Sequence, residues 1–339
     1  MDFDRLAHLL SIDDLMAKLD EVESRLGDSL GLEGVELGGP SIRMAMSGGK
    51  RLRPVLVVAA ANVFDAFTDR VISGCAAVEL VQVGSLVHDD IFDSAATRRG
   101  VATINAVEGV NQALLAGDYV LARAGVEAAA VSGDAARLLA QTVVELCVGQ
   151  HQETVQLGDQ ARTTEQHFAS IHAKTASLFG VSAQIGAMAG GAAPDAVEAL
   201  GQFGRAFGMS FQIVDDVLDL IADPIRLGKP VGSDLRAGVY TLPVLHVLAG
   251  DRGPELRHML AGTADGVDSN AISDLVRSAG GIEFALEAAC RFEHEAIRAL
   301  DQMGGHPTVS GLRQLPEDYR VWALSTLGDG LPVGPVSIC

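Results

Sequence analysis

Two acidic clusters, each set inside an apolar segment, constrain this chain more than any other feature. The first is Leu86-Val87-His88-Asp89-Asp90-Ile91-Phe92-Asp93 and the second is Phe211-Gln212-Ile213-Val214-Asp215-Asp216-Val217-Leu218-Asp219. Both are DDxxD patterns on runs that read as apolar helices. Residues four apart on a helix share a face, so Asp89 stacks with Asp93 and Asp215 with Asp219. A single acidic helix face is ordinarily a solvated surface. Two copies in apolar helices are different, because a buried carboxylate needs a partner or a metal. The pattern predicts two helices facing each other across a cage of six carboxylates, whose hard oxygens suit divalent cations.

Cations gather around the same segments. Thr97-Arg98-Arg99-Gly100 follows the first cluster within ten residues of Asp89. Metal ligands and guanidinium groups together suit a magnesium-bound phosphate substrate. The net charge of −19 argues against nucleic acid or an anionic membrane surface as the main partner. Basic residues are therefore informative where they occur. The only lysines are Lys18, Lys50, Lys174 and Lys229. Lys50 lies in Ser47-Gly48-Gly49-Lys50-Arg51-Leu52-Arg53-Pro54, where glycines allow close backbone approach and three cations fall within four residues, an anion-binding pattern. Lys174 sits between Ala173 and Thr175 in an apolar helix and needs an anion nearby. Gln82 lies two turns before Asp89 on the same face, and Lys229, ten residues after Asp219, is placed to fold back over the cage.

Hydrophobic residues make up 48% of the chain and aromatics only 4%. A core of Ala, Val and Leu favours closely packed helices over sheets. The chain shows no useful period-2 strand run, no GxGxxG after a strand and no 20–50-residue repeat, so one all-α domain is expected. Amphipathic spacing predicts a helix over 6–26, and further helices over 53–64, 71–93, 111–130, 135–155, 167–188 and 203–221. Residues 254–327 read as helical segments without a chemical signature, and 332–339 as a loose tail. The four cysteines are widely spaced without a CxxC, which predicts neither disulfides nor zinc and a reducing compartment. The acidic N-terminus does not read as a signal peptide, and the uncharged run Thr175 to Pro194 reads as an interior helix, so a cytoplasmic location is expected.

Taken in order, these motifs resemble the trans-type isoprenyl diphosphate synthases, or polyprenyl synthetases. They are GGKRLRP, DDxxD with RRG, KT, FQxxDD with a third Asp, and GK before a DL-x-x-G turn, spanning roughly residues 48 to 243. The resemblance implies a single-domain bundle of long helices around a deep central cavity, over residues 1–331, working as a homodimer. It implies magnesium (Mg2+, about three ions per site) and head-to-tail condensation of isopentenyl diphosphate with an allylic diphosphate, the product passing to membrane enzymes. Carried over by position, Asp89, Asp93 and Asp215 hold the metal, with Asp219 acting through water and Asp90 completing the catalytic motif. Arg98, Lys174 and Lys229 bind the allylic diphosphate. Lys50, Arg53, Gln82 and Arg99 bind isopentenyl diphosphate, and Thr175 and Gln212 line the reacting centre. Two departures stand out. Val239 replaces a lysine common in relatives, and Gln82 replaces a histidine, though its amide still donates.

Other readings fit less well. A class I terpene cyclase carries Asn, Ser/Thr and Glu at wider spacing in its second motif. A phosphohydrolase built on His88-Asp89 does not need the second cluster. A non-catalytic partner subunit commonly loses an aspartate motif, and both are kept here. A short-chain synthase commonly has a bulky aromatic four or five residues before the first Asp, where this chain has Ser85 and Gly84. With Val81, Val78 and Ala77 deeper on the same helix and Phe92 on the loop side, the expected product is twenty carbons or longer.

Overall fold

The computed structural model describes residues 2–222, 232–261 and 268–327. Its helices are α1 (Phe3–Leu10), α2 (Leu15–Leu30), α3 (Gly38–Ala45), α4 (Leu52–Asn62), α5 (Asp69–Phe92), α6 (Ile104–Val107), α7 (Val110–Val131) and α8 (Gly133–Val155). There follow α9 (Thr164–Ile171), a π-helical turn (His172–Ala176), α10 (Ser177–Ala189), α11 (Pro194–Ile221), α12 (Ser233–Ala237), α13 (Leu242–Ala249), α14 (Gly253–Ala261), α15 (Ser269–Ser278), α16 (Gly281–Ala299) and α17 (Pro307–Leu327). The one sheet among the described residues is a small antiparallel ribbon, Thr97–Arg98 with Val101–Ala102. The all-α expectation holds.

Small residues set the spacing of the bundle. The acidic helices α5 and α11 both pack against α10, which also packs against α4. All but one residue of α10 is buried, and most are Gly, Ala, Ser or Val. Close-packed interiors reward such small side chains with short interhelical distances. Gly208 of α11 lies so near the π-turn that a Cβ there would sit 2.7 Å from the Ala176 Cα. Gly149 of α8 meets the same turn from the other side, its missing Cβ only 2.8 Å from that of Ala173. The turn that carries Lys174 and Thr175 is thus clamped between two glycines. A π-turn inside a helix often marks a functional position.

Some boundaries differ from the periodicity. The helix expected over 6–26 is two helices, because Ser11 and Asp14 adopt left-handed conformations (φ 52 and 53) and the Ser11 N–H turns back to Ala7 and His8. The side-chain pattern continues through the break because both helices bury leucines on one core. α11 starts earlier than expected, at Pro194, which needs no N–H partner in a first turn. α5 is long and apolar enough to span a bilayer, yet 78% of its apolar window is buried within the protein, so it is a core helix. Cys75 and Cys147 are free, but Cys290 is disulfide-bonded, which corrects the expectation of no disulfides. Sequence spacing detects only local cysteine pairs.

Gly208→Ala is expected to lower the unfolding free energy by about 1–3 kcal/mol, the usual range for forcing an extra carbon into a packed contact. Urea denaturation measures it, and an unchanged midpoint would show that α11 and the π-turn are not in firm contact.

Candidate active site

A cavity of about 570 Å³ opens between α4, α5, the π-turn and α11. The loop before α4 supplies Lys50 and α4 itself Arg53. α5 supplies Glu79, Gln82, Ser85 and Asp89, and the ribbon turn supplies Arg99. The π-turn gives Lys174 and Thr175, and α11 gives Phe211, Gln212 and Asp215. Most of the residues selected from sequence therefore share one wall-to-wall space.

The six aspartates do not share it equally. Adjacent residues on a helix point about 100° apart, so each DD pair is split. Asp89 and Asp215 line the cavity from opposite helices. Asp93, at the end of α5, is exposed. Asp90 is 1% exposed and turns away to accept from Arg98 Nε at 2.5 Å. Asp216 is buried, accepts from Gln212 Nε2 at 2.8 Å and lies 3.2 Å from His167 Nε2. Asp219 is buried and accepts from the Ser233 hydroxyl at 2.5 Å and the Asp234 N–H at 3.0 Å, so it holds the start of α12. The expected cage of six is thus corrected to a pair across the cavity with Asp93 nearby in sequence. Arg98 is likewise on Asp90, not on the cavity wall. Lys229 lies outside the described residues.

The electrostatics follow from burial. Desolvation holds the Asp89 carboxyl above its ordinary value, against the opposing pull of Lys174. Burial pushes Arg53 down to about 10, opposed by the charge of Glu79. It lowers Arg99 as well, again against Glu79. Tyr319 of α17 is raised well above a usual phenol by burial and by the charge of Asp215. Lys174 Nζ donates to Glu153 Oε1 at 2.5 Å. The Thr175 hydroxyl donates to Gln212 Oε1 at 2.8 Å, continuing the chain of bonds that ends on Asp216. The ribbon turn aims Arg99 at the glycine loop: Arg99 and Gly100 are both left-handed, and Arg99 Nη1 donates to the Gly48 carbonyl. A Cβ on Gly49 would lie 2.8 Å from that nitrogen, so the glycine makes the approach possible.

Several contributors were missed in the sequence. Glu79 is buried and accepts from Arg51, which is also tied to Glu23 and the Ala45 carbonyl. Its signal was available, as a single acid in the otherwise apolar run before His88. Glu153, His167 and Tyr319 had no such signal. His88 turns to the Leu114 carbonyl (3.3 Å) in a gap left by Gly117, which removes the His-Asp reading of that dipeptide.

Among the described residues no three His, Cys, Asp or Glu side chains converge to hold a cation alone. The donor set nevertheless fits magnesium, which keeps several waters and takes one or two carboxylates plus substrate phosphates. Asp89 and Asp215 offer those oxygens beside Lys50, Arg53, Arg99 and Lys174.

A second cavity, about 370 Å³, adjoins the first and shares Ser85, Asp89 and Lys174 with it. Leu121, Val143, Leu146 and Phe92 make it largely apolar. Ser85 is therefore at the junction, as expected. Gly84 is not, because a Cβ there would sit 2.9 Å from Leu121 Cγ, in the contact of α5 with α7. Val81, Val78 and Ala77 are fully buried core residues, and Phe92 lines the second cavity, contrary to its expected position.

The family model for polyprenyl synthetase matches residues 36–276. Heptaprenyl diphosphate synthase component 2 of Geobacillus stearothermophilus is 36% identical over 308 residues, covering 89% of this chain and 94% of that one. Nonaprenyl diphosphate synthase of Mycobacterium tuberculosis is 35% identical over 282 residues, covering 81% and 83%. The crystal structure of geranylgeranyl pyrophosphate synthase from Corynebacterium glutamicum, complexed with calcium and isoprenyl diphosphate, superimposes with a TM-score of 0.79 at 32% identity, over 97% of this chain and 99% of that one.

Burial makes Asp89 harder to ionise in the folded chain than in the unfolded one. Its contribution to stability is full below the unfolded value and is lost as pH rises through the folded one. Asp89→Asn is therefore expected to raise the metal-free Tm at pH 7 by about 1–2 °C. The gain should vanish below about pH 4. Calorimetry at both pH values checks this, and an equal shift at both would assign the effect to packing.

Proposed function

The chain belongs to the polyprenyl synthetase family, and from that premise we propose that it condenses isopentenyl diphosphate head to tail with an allylic diphosphate, giving an all-trans polyprenyl diphosphate of twenty carbons or longer. The observation that carries this reading is one cavity with acids on opposite walls, lined by cations and sharing Ser85, Asp89 and Lys174 with an adjoining apolar cavity.

In this reading Asp89, Asp93 and Asp215 would hold magnesium, and the bound metal would supply charge stabilisation for the leaving diphosphate. Asp219 would act through water with the acceptor positions left by its bonds from Ser233 and Asp234, which also hold the α12 turn. Lys174, Arg98 and Lys229 bind the allylic diphosphate. Lys174 and Arg98 exchange their resting carboxylates, Glu153 and Asp90, for phosphate oxygens. Asp90 contributes by keeping Arg98 beside the metal helix. Lys50, Arg53, Gln82 and Arg99 bind isopentenyl diphosphate. Thr175 and Gln212, locked to each other, line the centre where the allylic C–O bond breaks and the new C–C bond forms. Phe179, Leu86 and Phe211 keep water from the carbocation. The proton released from the second substrate goes to the departing diphosphate.

An exposed apolar row on α7 and α8 (Val110, Leu114, Leu115, Val126, Val144 and Val148) supports a homodimer. The same row also suits an unlike subunit, a reading favoured by the relative named as component 2. Light scattering combined with diphosphate release by the isolated chain separates the two. We place the enzyme in the cytoplasm, with its product passed to membrane enzymes.

Three variants test the site. Asp89→Ala and Asp215→Ala should each lower kcat by about a hundredfold or more while the helical circular dichroism is kept. Near-normal turnover at saturating magnesium would sink the assignment. Radiolabelled isopentenyl diphosphate with a series of primers reads the product length. Ser85→Phe should shorten that product by narrowing the junction of the two cavities, with diphosphate release retained. An unchanged length would place the limiting wall elsewhere.

A further inference from the structure

The last described helix, α17, has no charged motif, yet two of its side chains reach Lys50 on the cavity wall. Lys50 Nζ lies 5.4 Å from the ring centre of Trp322, 5.5 Å from that of Tyr319 and 5.9 Å from that of Phe211. It also donates to the Tyr319 hydroxyl at 3.4 Å. The rings are held firmly. Tyr319 is 1% exposed, stacks on Phe211 with centroids 4.8 Å apart, and meets Trp322 at 6.0 Å. Lys50 itself follows two positive-φ glycines, Gly48 and Gly49, in an exposed loop. Such a loop does little to fix a long, flexible ammonium side chain. Lys18 offers a contrast: it lies over the single ring of Phe67, 5.1 Å from its centre.

We propose that Phe211, Tyr319 and Trp322 form an aromatic seat for the Lys50 ammonium, which makes Tyr319 and Trp322 positioning residues for the isopentenyl diphosphate subsite. This rests on the function proposed above. The ring faces attract the cation, while Lys50 remains on the cavity wall. The seat confines the side chain before substrate arrives, so less freedom is lost on binding. When the diphosphate binds, the ammonium keeps its place over the rings and turns its free N–H groups to the phosphate oxygens, which changes the charge beside Trp322. The alternative is that the rings only pack α17 onto α11 and Lys50 rests on them without consequence.

Trp322 is the chain's one tryptophan, so emission excited selectively at tryptophan comes from this seat. Titration with isopentenyl diphosphate should give a saturable change in emission, and Lys50→Met should abolish it. Farnesyl diphosphate, as the allylic arm, should give a smaller change. In steady-state kinetics Trp322→Leu should raise KM for isopentenyl diphosphate about fivefold. The allylic KM and kcat should stay within about twofold, and Trp322→Phe, which keeps a ring, should restore most of the loss. Equilibrium dialysis with radiolabelled isopentenyl diphosphate runs in parallel. Binding by dialysis without a change in emission overturns the seat and leaves the proposed function standing. So does a Trp322→Leu effect that falls equally on both substrates or on kcat alone. No binding by dialysis overturns both.

Discussion

Glu79 is a carboxylate buried midway along α5, and it accepts from the Arg51 guanidinium while Arg53 and Arg99 lie in its field. An unpaired ion at this depth would not be tolerated, and guanidinium groups crowded together repel one another. Glu79 removes both difficulties at once. It neutralises part of the basic cluster and ties the loop before α4 to α5, with Glu23 of α2 as a second anchor on Arg51. A cluster of cations can therefore be assembled inside an apolar bundle with no bound anion to balance it. Deleting one member of such a buried set is far more damaging than never having built it.

The same principle explains how the working cations rest. Lys174 is on Glu153, Arg98 on Asp90, Arg99 on the Gly48 carbonyl and Lys50 over three rings. In the proposed reaction the carboxylates on Lys174 and Arg98 would give way to the diphosphate, while Lys50 would keep its rings. The bonds behind the front row have a different character. The Thr175–Gln212–Asp216 chain runs from the cavity wall into the core, where His167 Nε2 lies 3.2 Å from the buried Asp216 carboxylate.

Helix packing supplies the frame for this arrangement. The small residues of α10 and the glycines that clamp the π-turn bring backbones close where Lys174 and Thr175 must be presented. The rings that a 4% aromatic chain does possess are concentrated behind the site, with Phe179, Phe203, Phe207, Phe211, Tyr319 and Trp322 in one continuous cluster. They form a stiff wall beside the place where a carbocation must be kept from water.

The helical class and the facing of α5 and α11 were legible in the sequence, because they depend on periodicity and residue type, while the cavity between them came from the family resemblance and its lining Glu79 was missed. The clustering of Lys50, Arg53, Arg99 and Lys174 around the acids was legible too. What each aspartate does was not legible. Asp90, Asp216 and Asp219 have the same letters as Asp89 and Asp215, but Arg98, His167 and Ser233 claim them from other elements. Gly84 and Ser85 are neighbours on one helix, yet α7 takes the first and the cavity the second. Lys50 and Tyr319 meet across 269 residues. A local pattern determines which way a side chain points along its own helix. What stands opposite it is decided only when distant segments pack, and no local pattern records that.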